Sequence, residues 1–304
     1  MFVDWPDRSK EMFGKDVMFA EHNISKSNLF TDDGLARLLD EFPREKLDIW
    51  TFGKQREGHN PALRGRAPKM SGKDIVDAVK HGEIWLNLRR ASDEIADLEH
   101  ISGTVFESID TAIGQRTTKH DMGLLISSPN VQVHYHLDIP MVALFQLRGR
   151  KRLWLYPRSE EFAPPSYVED IVHMKREEDL PYRNHFDDQA QMIDLVPGMA
   201  VTWPQLAPHR VQNANCVNVS LSCEYMTMSS LVNANAAYTN AFLRDRMNLA
   251  PKLPNQVGAV TYSKAAFAQI HKKLSPREPR RSPTPITFEL DTSKENCVKS
   301  LWGK

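Results

Sequence analysis

The stretch VQVHYHLDIP, residues 131–140, carries His134, His136 and Asp138 at alternate positions. Side chains alternate along an extended chain, so the three share one face if this is a strand. Two imidazoles and one carboxylate on one face, with coordination positions left open, suit non-haem Fe(II). Two pairings compete. A His-x-His pair of His134 and His136 needs a glutamate a few residues on, where Pro140 and Met141 stand. A His-x-Asp pair of His136 and Asp138 has no such gap. Its distant third ligand is His209, in PGMAVTWPQLAPHRVQN. That stretch turns at Pro197-Gly198, runs extended, breaks at Pro204 and reaches His209 before another β-rich run. His134 then stands behind the metal or faces a substrate.

A lysine completes the pattern. LRGRKRLWL places Lys151 just after a turn at Gly149, at the start of a β-run. Alternation puts Lys151, Leu153 and Leu155 on one face and Arg150, Arg152 and Trp154 on the other. A buried, unpaired ammonium is costly by several kcal/mol, of order 3–5 when a partner is missing. An inward Lys151 therefore needs an anion, and the far carboxylate of 2-oxoglutarate would serve. The alternative is a rim lysine whose stem reaches solvent.

These residues must be held by a fold of the right kind. Residues 106–228 hold short β-rich runs, MGLLISS, VQVHYHL, MVALFQL, KRLWLYP, MAVTWP and CVNVSLSCEY, several punctuated by Gly or Pro. Such spacing suggests an antiparallel sandwich or small barrel. The segment from Arg158 to Asp194 is long and polar and reads as an excursion between strands. Residues 1–105 read as mixed helix, strand and loop packing on the barrel. TDDGLARLLDEF and SGKDIVDAVKHG are helices, the latter capped by Ser71, and EIWLNL is a strand. Between them, residues 53–69 hold Lys54, Arg56, Arg64, Arg66 and Lys69 against Glu57. This is a solvated loop or a basic lip over a site for an anionic substrate. Residues 229–304 turn helical, with a serine-capped helix through Leu231, Tyr238 and Phe242 and a second at 262–274. A Pro-rich basic linker at 275–285 and a last edge strand, ITFELD, follow.

Bulk properties exclude several classes. With 39 basic and 39 acidic residues among 304, nothing in the charge draws the chain to nucleic acid or membrane. The N-terminus lacks a signal pattern and no stretch is apolar enough to span a bilayer. Three cysteines without a paired spacing point to a reduced, cytoplasmic setting.

HLDIPMVALFQLRGRKRLWLYP resembles the JmjC/cupin-like 2-oxoglutarate oxygenases, and especially their asparaginyl hydroxylases. In those enzymes His-x-Asp is followed, without gaps, by a Gln, a Gly and the 2-oxoglutarate lysine, here Gln146, Gly149 and Lys151. PGMAVTWPQLAPHRV is similar to the family's Pro-Gly-Asp stretch, with Met199 replacing the acid. The resemblance covers about residues 120–225. It implies a mostly β fold with flanking helices and a double-stranded β-helix (jelly-roll, cupin) core. It implies His136, Asp138 and His209 as iron ligands and Lys151 as co-substrate anchor. It also implies tail helices that can form a homodimer. Val133 and Val142 replace polar co-substrate contacts of the family, leaving Ser222 or Ser220 to help. The expectation is an Fe(II)- and 2-oxoglutarate-dependent oxygenase, a hydroxylase of a protein side chain or a small metabolite. Its rivals are a cupin-type metal-binding or regulatory barrel without 2-oxoglutarate turnover, and a cupin isomerase or dioxygenase without a keto acid that uses His134 as a further ligand.

Overall fold

The computed structural model describes residues 1–60, 62–254, 257–275 and 282–301. Of the basic linker expected at 275–285, Pro276–Arg281 fall outside the described residues.

Eight antiparallel strands build the core. In chain order they are Thr118–Ser127, Gln132–His136, Met141–Arg148, Lys151–Leu155, Gln191–Leu195, Met199–Thr202, His209–Asn213 and Asn218–Met226. Counting them one to eight, one sheet contains the order 6-3-8-1 and the facing sheet is 5-4-7-2. First pairs with eighth, second with seventh, third with sixth and fourth with fifth. This is the double-stranded β-helix, a jelly roll. Its interior is apolar, with Val142, Leu144, Leu153, Leu155, Leu195, Val201 and Trp203 packed together.

One element corrects the sequence reading. The excursion ends not in loop but in the strand Gln191–Leu195, which pairs with Lys151–Leu155 along its whole length. Only Ile193 and Leu195 are buried there, as befits an edge strand, and Arg152 grips Asp194 on the outer face through two bonds of 2.6 and 2.8 Å. The rest of the excursion includes the helix Pro165–Val172 and covers the outer face of the smaller sheet. There Phe162, Ile171, Leu180 and Phe186 pack on Tyr135, Leu137 and Trp154.

The larger sheet grows beyond the barrel on both sides to eleven strands. On one side Met18–His22 and Val3–Asp4 extend it. On the other lie Trp85–Leu88, Leu47–Thr51 and Leu63–Arg66. The helices Asp32–Glu41, Gly72–His81 and Ala96–Ile113 close its outer face through Leu35, Leu38, Ile75, Leu98, Ile101 and Val105. Ser71 caps the second of these in a reciprocal capping box with Asp74. The strand Ile286–Leu290, expected as an edge strand, lies inside the sheet instead. It lies parallel to Leu63–Arg66 and antiparallel to Val298–Ser300.

The C-terminal helices are Met228–Met247 and Ala259–Leu274. Thr227, rather than a serine, caps the first, in a box with Ser230. Among the described residues no helix is long and apolar enough to cross a membrane. Cys216, Cys223 and Cys297 are free thiols.

Candidate metal centre

Strand register brings the distant histidine home. His209 stands directly opposite His136 in the adjacent strand of the smaller sheet. Asp138 follows two residues later, just past the strand end. The ligand-capable atoms of His136, Asp138 and His209 all lie within 4.8 Å of one another, and His209 Nε2 is 3.4 Å from Asp138 Oδ2. Atoms about 2.1 Å from a shared ion and at right angles around it lie about 3 Å apart, so the cluster is close to a binding geometry. Among the described residues no other group of three His, Cys, Asp or Glu side chains does this.

Backbone carbonyls orient both imidazoles. His136 Nδ1 meets the carbonyl of His134 at 2.7 Å, and His209 Nδ1 that of Ala207 at 3.2 Å. A carbonyl only accepts, so each Nδ1 carries the proton and each Nε2 keeps its lone pair for a ligand. Burial, reinforced by neighbouring His136, holds the His209 ring well below the usual imidazole range. It is therefore neutral at physiological pH. Burial pushes the Asp138 carboxyl up, opposed by His136 and Arg89. A cation among these groups would reverse that rise. Two neutral imidazoles and one carboxylate, without thiolate, fit Fe(II) and do not fit the soft metals.

The three side chains open into a cavity of about 580 Å³. Lys151 lines it too. The turn before it requires glycine: Gly149 has φ +75°, and a Cβ there would meet the Val217 carbonyl at 2.2 Å. Lys151 is 6% exposed, and among the described residues its amine has no hydrogen bond or ion pair. Burial pushes it down to about 8. A rim lysine reaching solvent is thus not what the structure shows. Leu155, four residues along, pairs with His209. Lys151 therefore stands about 13 Å along the strand from the metal cluster. An extended dicarboxylate and the lysine's own four-carbon stem cover that reach. Between the two ends the wall is Val133, Val142, Leu144, Val211 and Ser222.

Two residues named from sequence, Ser220 and Gln146, stand away from the cavity, and His134 lines it without facing the metal cluster. Ser220 is fully buried and donates to Gln146 Oε1 at 2.8 Å, while Gln146 Nε2 donates to the Arg148 carbonyl and to Asn218. Neither lines the cavity; together they knit the far end of the barrel. His134 does line it, but both its ring nitrogens face carbonyls, of Asn60 at 3.0 Å and Gly53 at 2.7 Å. It pins the loop 53–60 against the barrel mouth and has no nitrogen to spare for a metal. Gln55 and the Gly58–Tyr182 bridge pin the same loop. The loop is therefore a lip, yet its basic character is partly cancelled. Arg64 pairs with Asp48 at 2.8 Å and Arg66 with Glu289 at 2.6 Å.

Several wall residues escaped the sequence reading. Asp48, Trp50, Trp85, Asn87 and Arg89 come from the appended strands, and Glu177, Glu178 and Asp179 from the excursion. The excursion runs beside the metal strand here, with Leu137 donating to the Glu178 carbonyl and Leu180 to that of Tyr135. Alternation along EIWLNL and along Ser220, Ser222 and Glu224 was the signal for some of them. No sequence signal placed Glu178.

No protein-family model and no curated protein matches the sequence. Solved structures do match by shape. An X-ray structure of Escherichia coli ycfD superposes with a TM-score of 0.50 at 17% identity, covering 91% of this chain and 70% of that one. A structure of YcfD, titled a ribosomal oxygenase from Escherichia coli in complex with cobalt and 2-oxoglutarate, gives 0.49 at 15% identity, over 90% and 69%. At these identities the likeness is one of architecture: this chain shares the jelly-roll fold of the ycfD structure.

Proposed function

We propose that the protein is an Fe(II)- and 2-oxoglutarate-dependent oxygenase that hydroxylates a protein side chain or a small metabolite. One observation carries this. The His136, Asp138 and His209 cluster opens into the same cavity as a buried, unpartnered Lys151. A metal-only cupin gives no reason for that lysine. A keto acid with a second carboxylate does.

His136, Asp138 and His209 hold the metal from one side and leave the cavity side open. Lys151 holds the far carboxylate, and Ser222 is the hydroxyl nearest to help. With both groups bound, the metal would supply activation of O₂, the oxidant: one oxygen atom would go to the substrate C–H and the other to the keto acid, which loses CO₂ to leave succinate. The chain's own part is placement. Val133, Val142, Leu144 and Val211 exclude water along the co-substrate, and the lip and excursion confine the substrate against the open side.

The test is to mix metal-free protein with Fe(II) and 2-oxoglutarate under argon and record the visible spectrum. A charge-transfer band that is lost in His136→Ala and weakened in Lys151→Ala supports the assignment. Metal binding without a band would favour the cupin barrel without a keto acid.

Two finer points belong to the same proposal. The free thiols suit a reduced cytoplasm. The helix Ala259–Leu274 exposes Val260, Phe267, Ile270 and Leu274 along one stripe, with Leu274 80% exposed. Such a stripe suits a homodimer through the C-terminal helices.

A further inference from the structure

The three residues of the metal cluster are not held alike. Each imidazole has its own second hydrogen bond to a backbone carbonyl. Among the described residues no hydrogen bond orients the Asp138 carboxylate, whose one near neighbour is His209 Nε2 at 3.4 Å. Asp138 also stands past the end of its strand, so no ladder fixes its backbone. Its place depends on what clamps the residues on either side. On one side the Leu137 amide donates to the Glu178 carbonyl. On the other, the Ile139 carbonyl accepts from Gln205 Nε2 at 2.8 Å.

Gln205 is 4% exposed, and its amide is fully committed. Nε2 also donates to the Ser230 carbonyl, at 3.1 Å, in the first turn of the helix Met228–Met247. Both partners can only accept, so the amide cannot be turned over and both of its N–H groups are used. Oε1 is buried and has no partner among the described residues. A buried amide with one end unsatisfied is a poor device for stability alone, because an apolar side chain of that length would fill the same space without the penalty. What glutamine adds there is its two donors.

The turn that carries Gln205 serves His209 as well. It is closed by the Ala207 amide donating to the Pro204 carbonyl. Leu206 holds φ +64° within it, a region that a leucine rarely adopts, and its buried side chain packs with Tyr135 and Leu137. The next residue, Ala207, supplies the carbonyl that orients His209. One short, tightly packed turn thus orients His209 through its backbone and reaches the Asp138 loop through its side chain.

Resting on the proposed metal centre, we propose that Gln205 is a positioning residue for that centre. It touches no metal ligand. It fixes the backbone beside Asp138 to the turn that orients His209, and fixes both to the first turn of the C-terminal helix, so that the carboxylate and the imidazole keep their spacing.

The test is a double-mutant cycle on metal affinity, which needs no turnover and no co-substrate. Zinc affinity is read by competition with a chromogenic chelator for the wild type, Gln205→Met, Asp138→Ala and the double variant. Gln205→Met keeps the length and loses the donors, and should weaken zinc binding about 10–100-fold. In the Asp138→Ala background the same substitution should change affinity by less than about threefold, because the group it positions is gone. The visible spectrum of the cobalt(II)-loaded protein should change in Gln205→Met as well. Gln205→Glu, nearly the same shape, should act in the same direction and serves where Gln205→Met fails to fold, as judged by circular dichroism. Variants that are less stable to urea yet bind zinc within about threefold of the wild type, with an unchanged cobalt spectrum, would make Gln205 a packing residue and overturn the proposal. An equal loss with and without Asp138 would overturn it too, since Gln205 would then not act through that residue. A wild type that binds neither zinc nor cobalt would overturn the metal centre and this proposal with it. Failure of the keto-acid band with the cycle as expected would overturn the co-substrate reading and leave this one supported.

Discussion

Replacing Lys151 by methionine should stabilise the metal-free protein while destroying its co-substrate site. The magnitude follows from the buried amine. Burial lowers its pKa from 10.5 to about 8. Each factor of ten is worth about 1.4 kcal/mol, so at pH 7 keeping the ammonium inside costs roughly 3 kcal/mol. Lys151 is a base whose folded pKa is depressed. The unfolded chain binds more protons than the folded one between about pH 8 and pH 10.5. Stability of the native lysine protein therefore rises over that window. The penalty is present in full below pH 8 and is nearly gone by pH 10.5. Methionine has a similar length and suits a site next to Leu153 and Leu195, so little strain should offset the gain. Urea denaturation of metal-free protein at pH 7 and pH 10.5 measures this directly. Lys151→Met should gain roughly 3 kcal/mol at the lower pH and little at the higher. The same variant should show no 2-oxoglutarate binding in calorimetry with metal present. If Lys151→Met is no more stable at pH 7, the amine already has a partner in the free protein and is not waiting for an anion.

Other outcomes separate the roles assigned in the site. His136→Ala and Asp138→Ala should each weaken metal binding by at least about a hundredfold, read by competition with a chromogenic chelator. His134→Ala should leave metal affinity nearly intact but cost about 1–3 kcal/mol, because a loop carbonyl loses its donor and the lip loses its anchor. Weaker metal binding in that variant would make His134 a ligand after all. Ser220→Ala should cost about 1 kcal/mol by stranding Gln146 Oε1 and leave co-substrate affinity unchanged, whereas Ser222→Ala should reduce that affinity with little effect on stability. Ile270→Glu should convert a dimer to a monomer in sedimentation velocity; a wild-type chain already monomeric at high concentration would remove the proposed interface.

What was legible in the sequence, and what was not, divides along physical lines. The core strands announced themselves because buried β-runs are apolar and end at turns. Met141–Arg148 is buried at seven of its eight positions, and Gly149 and Pro197-Gly198 mark real turns. Gln191–Leu195 hid because an edge strand needs only two inward residues. The helix Ala96–Ile113, absent from the sequence reading, was readable in principle, since Leu98, Ile101, Val105 and Ile109 keep helical spacing.

The site shows the same division. His136 and Asp138 could be paired because they are local, and His209 because its strand signals were clear. Lys151 followed from alternation alone. Glu178, on the cavity wall beside them, could not be seen, because it depends on an irregular segment lying along the metal strand. Trp50 and Trp85 likewise reach the cavity only through strands added to the edge of the barrel. The part proposed to hold metal and co-substrate is built from regular strands with short-range periodicity. The part that would choose a substrate is assembled from appended strands and a long excursion, whose placement only tertiary packing decides. Chemistry was therefore readable before selectivity. Exchanging residues 158–190 of the excursion, and no barrel strand, is the change that should alter what the protein accepts while leaving metal affinity within about tenfold of its native value.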